Sequence, residues 1–103
     1  MIQYSIGQVV FSKCGHDRGK AYIIISLSDD YLYLCDGDVR PFDKAKKKKI
    51  KHVQITDYVL QDLKSKIESG AIMDTDLIKE LKPYKNKFLS GSRHLVNAVV
   101  KEV

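Results

Sequence analysis

The chain is poor in the residues that mark several large protein classes. It has two cysteines, Cys14 and Cys35, and no tryptophan in 103 residues. Two cysteines are too few for a disulfide framework, and neither lies in a spacing that forms a tetrahedral metal site. No apolar run approaches the roughly twenty residues of a membrane span, and residues 1–5 lack the features of a signal peptide. These absences predict a cytoplasmic protein with reduced thiols and with no membrane segment, metal or cofactor.

The sequence also lacks a catalytic constellation. Its three histidines, His16, His52 and His94, are far apart, and none stands near a cysteine or carboxylate at a spacing typical of a general base. No pairing of a nucleophile with a base emerges, and a small domain leaves little room for a substrate pocket. We therefore expect a protein that is not an enzyme.

Positive charge is concentrated in one short segment. The net charge is +5, yet residues 1–40 carry four Lys and Arg against five Asp and Glu, and residues 53–103 carry eight against seven. Residues 41–52 hold six lysines and one aspartate. We predict a lysine-rich loop here that attracts polyanions, with a merely solvated loop as the alternative.

Two apolar runs, Val9–Phe11 and Ala21–Ile25, flank a short connection rich in glycine and basic residues. This pattern predicts two strands joined by a charged tip, in which Gly15 and Gly19 adopt positive φ angles. Four basic side chains of the tip can donate hydrogen bonds to phosphate: Lys13, His16, Arg18 and Lys20.

The first half of the chain reads as a series of short strands separated by tight turns. Three further strands are predicted from alternating or β-branched residues at Tyr31–Cys35, Asp38–Arg40 and Lys51–Ile55. A hairpin turn at Asp36 and Gly37 would join the first two of these. Five short strands of this kind favour a small closed barrel.

Apolar residues recur at helical spacing in the second half. A first helix is predicted from the spacing of Val59, Leu60, Leu63 and Ile67, with Thr56 as N-cap and Gly70 just past its end. A second is predicted to begin near Thr75, its N-cap, and to stop before Pro83. The last ten residues of the chain favour a third helix, with an added strand as the alternative. Residues 56–103 would then form a helical extension that packs on the barrel.

The tip resembles the KOW motif, an apolar strand followed by a small polar residue, a glycine, Asp-x-Gly-Lys and a second apolar strand. The matching residues are Ser12, Gly15, Asp17, Gly19 and Lys20. The resemblance places Asp17 at a turn position, where its side chain can bond the backbone two residues on. Taken with residues 36–41 and the lysine-rich connection, the first 55 residues resemble small bacterial KOW proteins related to a large-subunit ribosomal protein family of archaea and eukaryotes. The resemblance implies an SH3-like barrel over residues 1–55 that binds RNA, with ribosomal RNA as the expected target.

The predicted RNA-binding surface combines the tip with the lysine-rich segment. Its side chains are Lys13, His16, Arg18, Lys20, Arg40, Lys44, Lys46, Lys47, Lys48, Lys49, Lys51 and His52. Strand alternation places Leu32 and Leu34 on the core face and leaves Tyr31 and Tyr33 half exposed, where they are candidates for base stacking.

Other functions fit parts of the same pattern. Elongation factors of the NusG type use KOW barrels to contact other proteins, so a protein-interaction module of the transcription or translation machinery, bound to the ribosome or RNA polymerase-associated proteins, is the main alternative. A peptide-binding or structural SH3-like domain is another, for which Tyr31 and Tyr33 would matter more than the lysines. A monomer is favoured in each case.

Overall fold

A five-stranded antiparallel sheet dominates the computed structural model, which describes residues 4–85 and residue 87. The strands are β1 Gln8–Ser12, β2 Ala21–Leu27, β3 Tyr31–Cys35, β4 Lys46–Lys49 and β5 Val53–Val59. Their order across the sheet is β4-β3-β2-β1-β5, with every neighbouring pair antiparallel. The expectation of a mainly β protein with helices at its end is confirmed. Among the described residues the sheet is not closed by backbone hydrogen bonds, since β4 and β5 are its two edges.

The sheet is nevertheless strongly curled. Its two edge strands are joined by a single 3₁₀ turn, Ile50–His52. Five flat strands would place the edges about 19 Å apart, whereas the four residue steps from Lys49 to Val53 span at most about 14 Å. Register irregularities in β1, between Gln8 and Val10, and in β2 supply bends of the kind that let a sheet curl.

Both faces of the sheet are buried at its centre, so β1 is buried along its whole length. The register aligns Val9 with Ile23 and Ile23 with Cys35 on the face that packs against the helices. The opposite, concave face holds a second core cluster: Val10, Tyr22, Ile24, Leu32, Leu34 and Val53. The predicted core role of Leu32 and Leu34 is thus confirmed.

Two helices follow the sheet, α1 Gln61–Ser69 and α2 Asp74–Leu81, and a 3₁₀ turn ends at Tyr84. Each helix has an apolar side that completes the first core cluster, with Leu63 from α1 and Leu77 from α2 fully buried. Neither helix is long and apolar enough to cross a membrane, in the part of the chain that the structure describes. The predicted third helix lies outside the described residues.

The predicted N-caps of both helices are wrong. Thr56 lies inside β5, where its hydroxyl donates to the Val9 carbonyl at 2.6 Å, so it cannot cap a helix. The first helix begins after Leu60, later than predicted, and ends before Gly70, as predicted. The second helix is preceded by Met73, whose backbone N–H donates to the Asp76 carboxylate at 3.0 Å.

Residues 38–40 do not form the predicted strand. The Asp36 carboxylate accepts hydrogen bonds from the backbone N–H groups of Asp38, at 2.9 Å, and Arg40, at 2.8 Å. These local bonds occupy donors that a sheet ladder would need. The loop is held against α2, where Asp74 accepts a hydrogen bond from the Phe42 N–H at 2.7 Å.

Candidate nucleic-acid interface

The lysine run is a strand and not the predicted loop, because it pairs with β3 along its whole length. Lys46 lies opposite Leu34 and Lys48 opposite Leu32, whereas Lys47 lies opposite Tyr33 and Lys49 opposite Tyr31. Alternate side chains of a strand point to opposite faces. The pairing therefore divides four consecutive lysines into an inward pair and an outward pair. The inward pair shares its face with the concave core.

The inward pair ends on a single carboxylate. Lys46 Nζ lies 2.6 Å from Asp17 Oδ2, and Lys48 Nζ lies 2.9 Å from Asp17 Oδ1. The same carboxylate accepts hydrogen bonds from the hydroxyl of Ser12 at 2.8 Å and from that of Tyr22 at 3.0 Å. We call Asp17, Lys46, Lys48, Ser12 and Tyr22 the Asp17 cluster. It connects the tip to the edge strand β4 across the concave side, where the sheet has no backbone ladder.

Electrostatics keep the cluster charged. Burial alone would raise the pKa of Asp17, but hydrogen bonds from Lys46, Lys48, Ser12 and Tyr22 outweigh it and hold that pKa far below its ordinary value. Burial and the neighbouring Asp17 carboxylate together raise the pKa of the Tyr22 phenol well above its usual value. Asp17 is therefore ionised across the physiological pH range and neutralises part of the lysine charge.

This geometry differs from the turn role predicted for Asp17. Its backbone does form the turn, since the Asp17 carbonyl accepts from the Lys20 N–H at 2.9 Å. Its side chain instead bonds four side chains, two of them lysines 29 and 31 residues away in sequence. No local pattern around Asp17 indicated partners so distant. The period-2 alternation of β4 was the available signal, and the uniform lysine sequence concealed it.

The outward pair lies beside the two half-exposed tyrosines of β3. Lys47 and Lys49 are exposed, and Tyr31 and Tyr33 are partly exposed on the same face. The ammonium of Lys47 sits 4.4 Å from the centroid of the Tyr31 ring, which is a cation–π contact. We call Tyr31, Tyr33, Lys47 and Lys49 the outer β3–β4 face. It combines flat aromatic surface with two positive charges.

The tip is exposed and carries its basic residues on the surface. Gly15 and Gly19 have φ angles of 86° and 90°, as predicted for a tight reversal. The exposed basic residues of the tip are Lys13, His16, Arg18 and Lys20. The backbone N–H of Lys13 donates to the His52 carbonyl at 2.9 Å, which fixes the base of the tip against the turn between β4 and β5.

The structure distributes the other predicted site residues over several places. Lys44 and Lys51 are exposed at the two ends of β4, in the flanking 3₁₀ turns, and His52 is half buried beside the tip. Arg40 is half buried in the loop after β3. Lys48 is 8% exposed, so it is the predicted RNA ligand that the fold removes from the surface.

Lys46 is intermediate between these two situations. Its side chain is 27% exposed and ion-paired with Asp17. The lysine run was predicted to bind RNA along its whole length, but the structure divides it into an inward pair, bound to Asp17, and an outward pair. Only the outward pair is open to a macromolecule without loss of an internal ion pair.

The cysteines occupy different surroundings. Cys35 is fully buried in the core beneath the helices, and burial followed by the nearby Asp36 and Asp74 carboxylates raises its thiol pKa to about 12. Cys14 is half buried in the tip, and its carbonyl accepts from Lys48 Nζ at 3.0 Å. Within residues 4–85 and 87, no three His, Cys, Asp or Glu side chains gather closely enough to hold a metal ion.

Comparison with known proteins does not test the resemblance to KOW proteins. No protein-family model matches this chain, and no curated protein matches it significantly. The function must therefore be argued from the outer β3–β4 face, the tip and the Asp17 cluster.

Proposed function

We propose that the chain is a non-enzymatic RNA-binding protein of the cytoplasm, with ribosomal RNA as its target. In this proposal the curled sheet is an SH3-like barrel of the KOW type, closed on one side by the Asp17 cluster in place of backbone hydrogen bonds. The observation that carries it is the register of β3 with β4. That register places Lys47 and Lys49 on the same outward face as Tyr31 and Tyr33.

The exposed positive charge extends from this face to the tip. Lys51 lies in the turn that follows β4, and the next residue, His52, accepts the backbone hydrogen bond from Lys13. Residues 44–52 connect the outer β3–β4 face to the tip and contain no acidic residue, although Asp30 from the preceding turn lies beside Lys49 and Lys51. Exposed lysines along such an edge neutralise successive phosphates and release their counterions.

Phosphate contacts give affinity, whereas specificity needs contacts to bases or to the shape of the RNA. The tyrosines of the outer β3–β4 face provide a surface on which unpaired bases stack. We therefore assign capture to the exposed lysines and the tip, and base contact to the tyrosines. Lys48 and Lys46 are assigned to closure of the barrel.

Fluorescence anisotropy with a structured ribosomal RNA fragment, measured over a salt series, tests the proposal. The variant Lys47→Ala/Lys49→Ala should lower the magnitude of the slope of log K against log salt by about 1.4 to 1.8, since each phosphate contact contributes about 0.7 to 0.9. The matched control, Lys79→Ala/Lys82→Ala, removes two exposed lysines from the helical side and should leave the slope unchanged.

If the wild-type protein does not bind the RNA fragment at low salt, the proposal of RNA binding is contradicted. Such a result would favour the protein-interaction alternative. One structural observation supports that alternative: the exposed side chains of Val39 and Ile78 border a cleft of about 250 Å³ between the sheet and α2.

A further inference from the structure

A second cleft opens at one end of the outer β3–β4 face. It has a volume of about 460 Å³, within the range of about 300 to 1,000 Å³ that small-molecule sites occupy. The residues that line it are Asp30, Tyr31, Lys49, Ile50 and Lys51. The residues of this lining carry one aromatic ring, two ammonium groups, one carboxylate and one aliphatic side chain.

The backbone around the cleft is fixed by hydrogen bonds. The N–H of Ile50 donates to the Asp30 carbonyl at 3.0 Å, and the N–H of Ser28 donates to the Tyr31 carbonyl at 2.9 Å. Tyr31 also lies in register opposite Lys49, and the Lys47 ammonium covers its ring at 4.4 Å. The aromatic ring and the two walls of the cleft are therefore positioned before any ligand arrives, which lowers the entropic cost of binding.

The lining groups match the parts of one nucleotide. An aromatic ring accepts any base by stacking, and lysine ammonium groups attract its phosphate. A carboxylate accepts hydrogen bonds only, so it favours a base edge that carries an amino group, as cytosine and adenine do. Uracil offers only its ring N–H, which lies between two carbonyl oxygens that the carboxylate repels. A paired base in a duplex is stacked on its neighbours and cannot enter such a cleft.

We propose that this cleft binds a single unpaired nucleotide of RNA, with its base stacked on Tyr31, its phosphate held by Lys49 and Lys51, and its exocyclic amine donating a hydrogen bond to the Asp30 carboxylate. The inference rests on the proposed RNA-binding function and makes it specific. It assigns preference for unpaired, amino-bearing bases to one end of β3.

The test compares labelled twelve-nucleotide strands of cytidine and of uridine, both by anisotropy at one fixed salt concentration. Wild type should bind the cytidine strand about fivefold more tightly, which is the lower end of the discrimination that a bidentate base contact provides. Asp30→Ala should bring the ratio of the two dissociation constants close to one. Equal affinity of the wild type for both strands would overturn the assignment of Asp30.

The stacking role has its own variant. Tyr31→Leu keeps an apolar side chain in β3 and should weaken binding of the cytidine strand by about 5- to 150-fold, the range for loss of one base–aromatic stack. Its salt slope should stay unchanged, because no charge is removed. Tyr58→Leu, on β5, is the matched control and should bind as wild type does. Circular dichroism on each variant verifies that the fold is retained.

Failure of this inference is distinguishable from failure of the proposed function. If wild type binds the ribosomal RNA fragment with a slope that responds to Lys47→Ala/Lys49→Ala, but Tyr31→Leu leaves the cytidine strand's affinity unchanged, the cleft assignment is overturned and RNA binding stands. If wild type binds neither RNA at low salt, both are overturned.

Discussion

Removal of the Asp17 carboxylate should be among the most damaging single changes in this protein. In Asp17→Ala the Lys48 ammonium stays buried, with 8% of its side chain exposed, but loses its counter-charge. Loss of one partner of a buried ion pair costs about 3 to 5 kcal/mol. That is a large share of the about 5 to 15 kcal/mol by which a small domain is stable, and for a chain of this length it lowers Tm by more than about 12 °C.

The assay is urea unfolding followed by circular dichroism, for wild type, Asp17→Ala, Lys48→Met and the double variant. The double variant contains no unpaired buried ammonium at position 48, so it should be more stable than the sum of the single effects predicts, by about 0.5 to 3 kcal/mol. Asp29→Ala, an exposed aspartate, is the control and should change stability by less than about 0.5 kcal/mol. A cost below about 1 kcal/mol for Asp17→Ala, or strict additivity, would refute the role assigned to the cluster.

The same carboxylate sets a pH dependence. Because the folded-state pKa of Asp17 is depressed, its contribution to stability is fully present above the unfolded-state pKa, about 3.9, and is lost as pH falls toward the folded value. The stability difference between wild type and Asp17→Ala should thus be constant near neutral pH and shrink below about pH 4. A difference that grows on acidification would have the wrong sign for this mechanism.

Two further predictions concern the thiols and a glycine. At pH 8 a disulfide reagent should modify Cys14 in the folded protein and reach Cys35 only after unfolding, since Cys35 is fully buried and its thiol has a pKa of about 12. Mass spectrometry counts the modified thiols, and rapid modification of both in the folded protein would contradict this prediction. Gly37→Ala should destabilise the fold by about 2 kcal/mol or more, because φ is 83° there and the new Cβ would collide with the Asp74 carbonyl. Gly70→Ala, with φ of 78° and open space around it, should cost only about 1 kcal/mol in the same urea assay, and equal costs would argue against the collision.

Much of the sheet could be read from the sequence because its signals are local. The apolar runs of β1 and β2, the alternation of β3 and the glycines of the tip each predict their own conformation. The start of α1 was misplaced because Thr56, a good helix cap in isolation, is used by β5 to bond a carbonyl of β1. A partner 47 residues away outweighs a local preference of about 1 kcal/mol.

The conformation of the lysine run could not be predicted from the sequence. Consecutive lysines have low strand propensity and normally remain solvated, so their composition favours a loop. Here Asp17 and the Ser12 hydroxyl, contributed by the tip, offer Lys48 the partners that burial requires. The residues that could bind phosphate and the residues that close the sheet are thus all lysines. Only the β3 residue opposite each lysine distinguishes the two roles.

The position of β4 at the edge of the sheet has a consequence for contact between copies of this chain. An edge strand exposes backbone donors and acceptors that another strand can pair with. If two copies paired antiparallel through β4, their lysine side chains would face one another across the new ladder, and directly opposed like charges destabilise such pairing. Since Lys46 and Lys48 are already committed to Asp17, it falls to Lys47 and Lys49 to repel a second strand. The two lysines that we assign to RNA capture therefore also oppose aggregation through the β4 edge of the sheet.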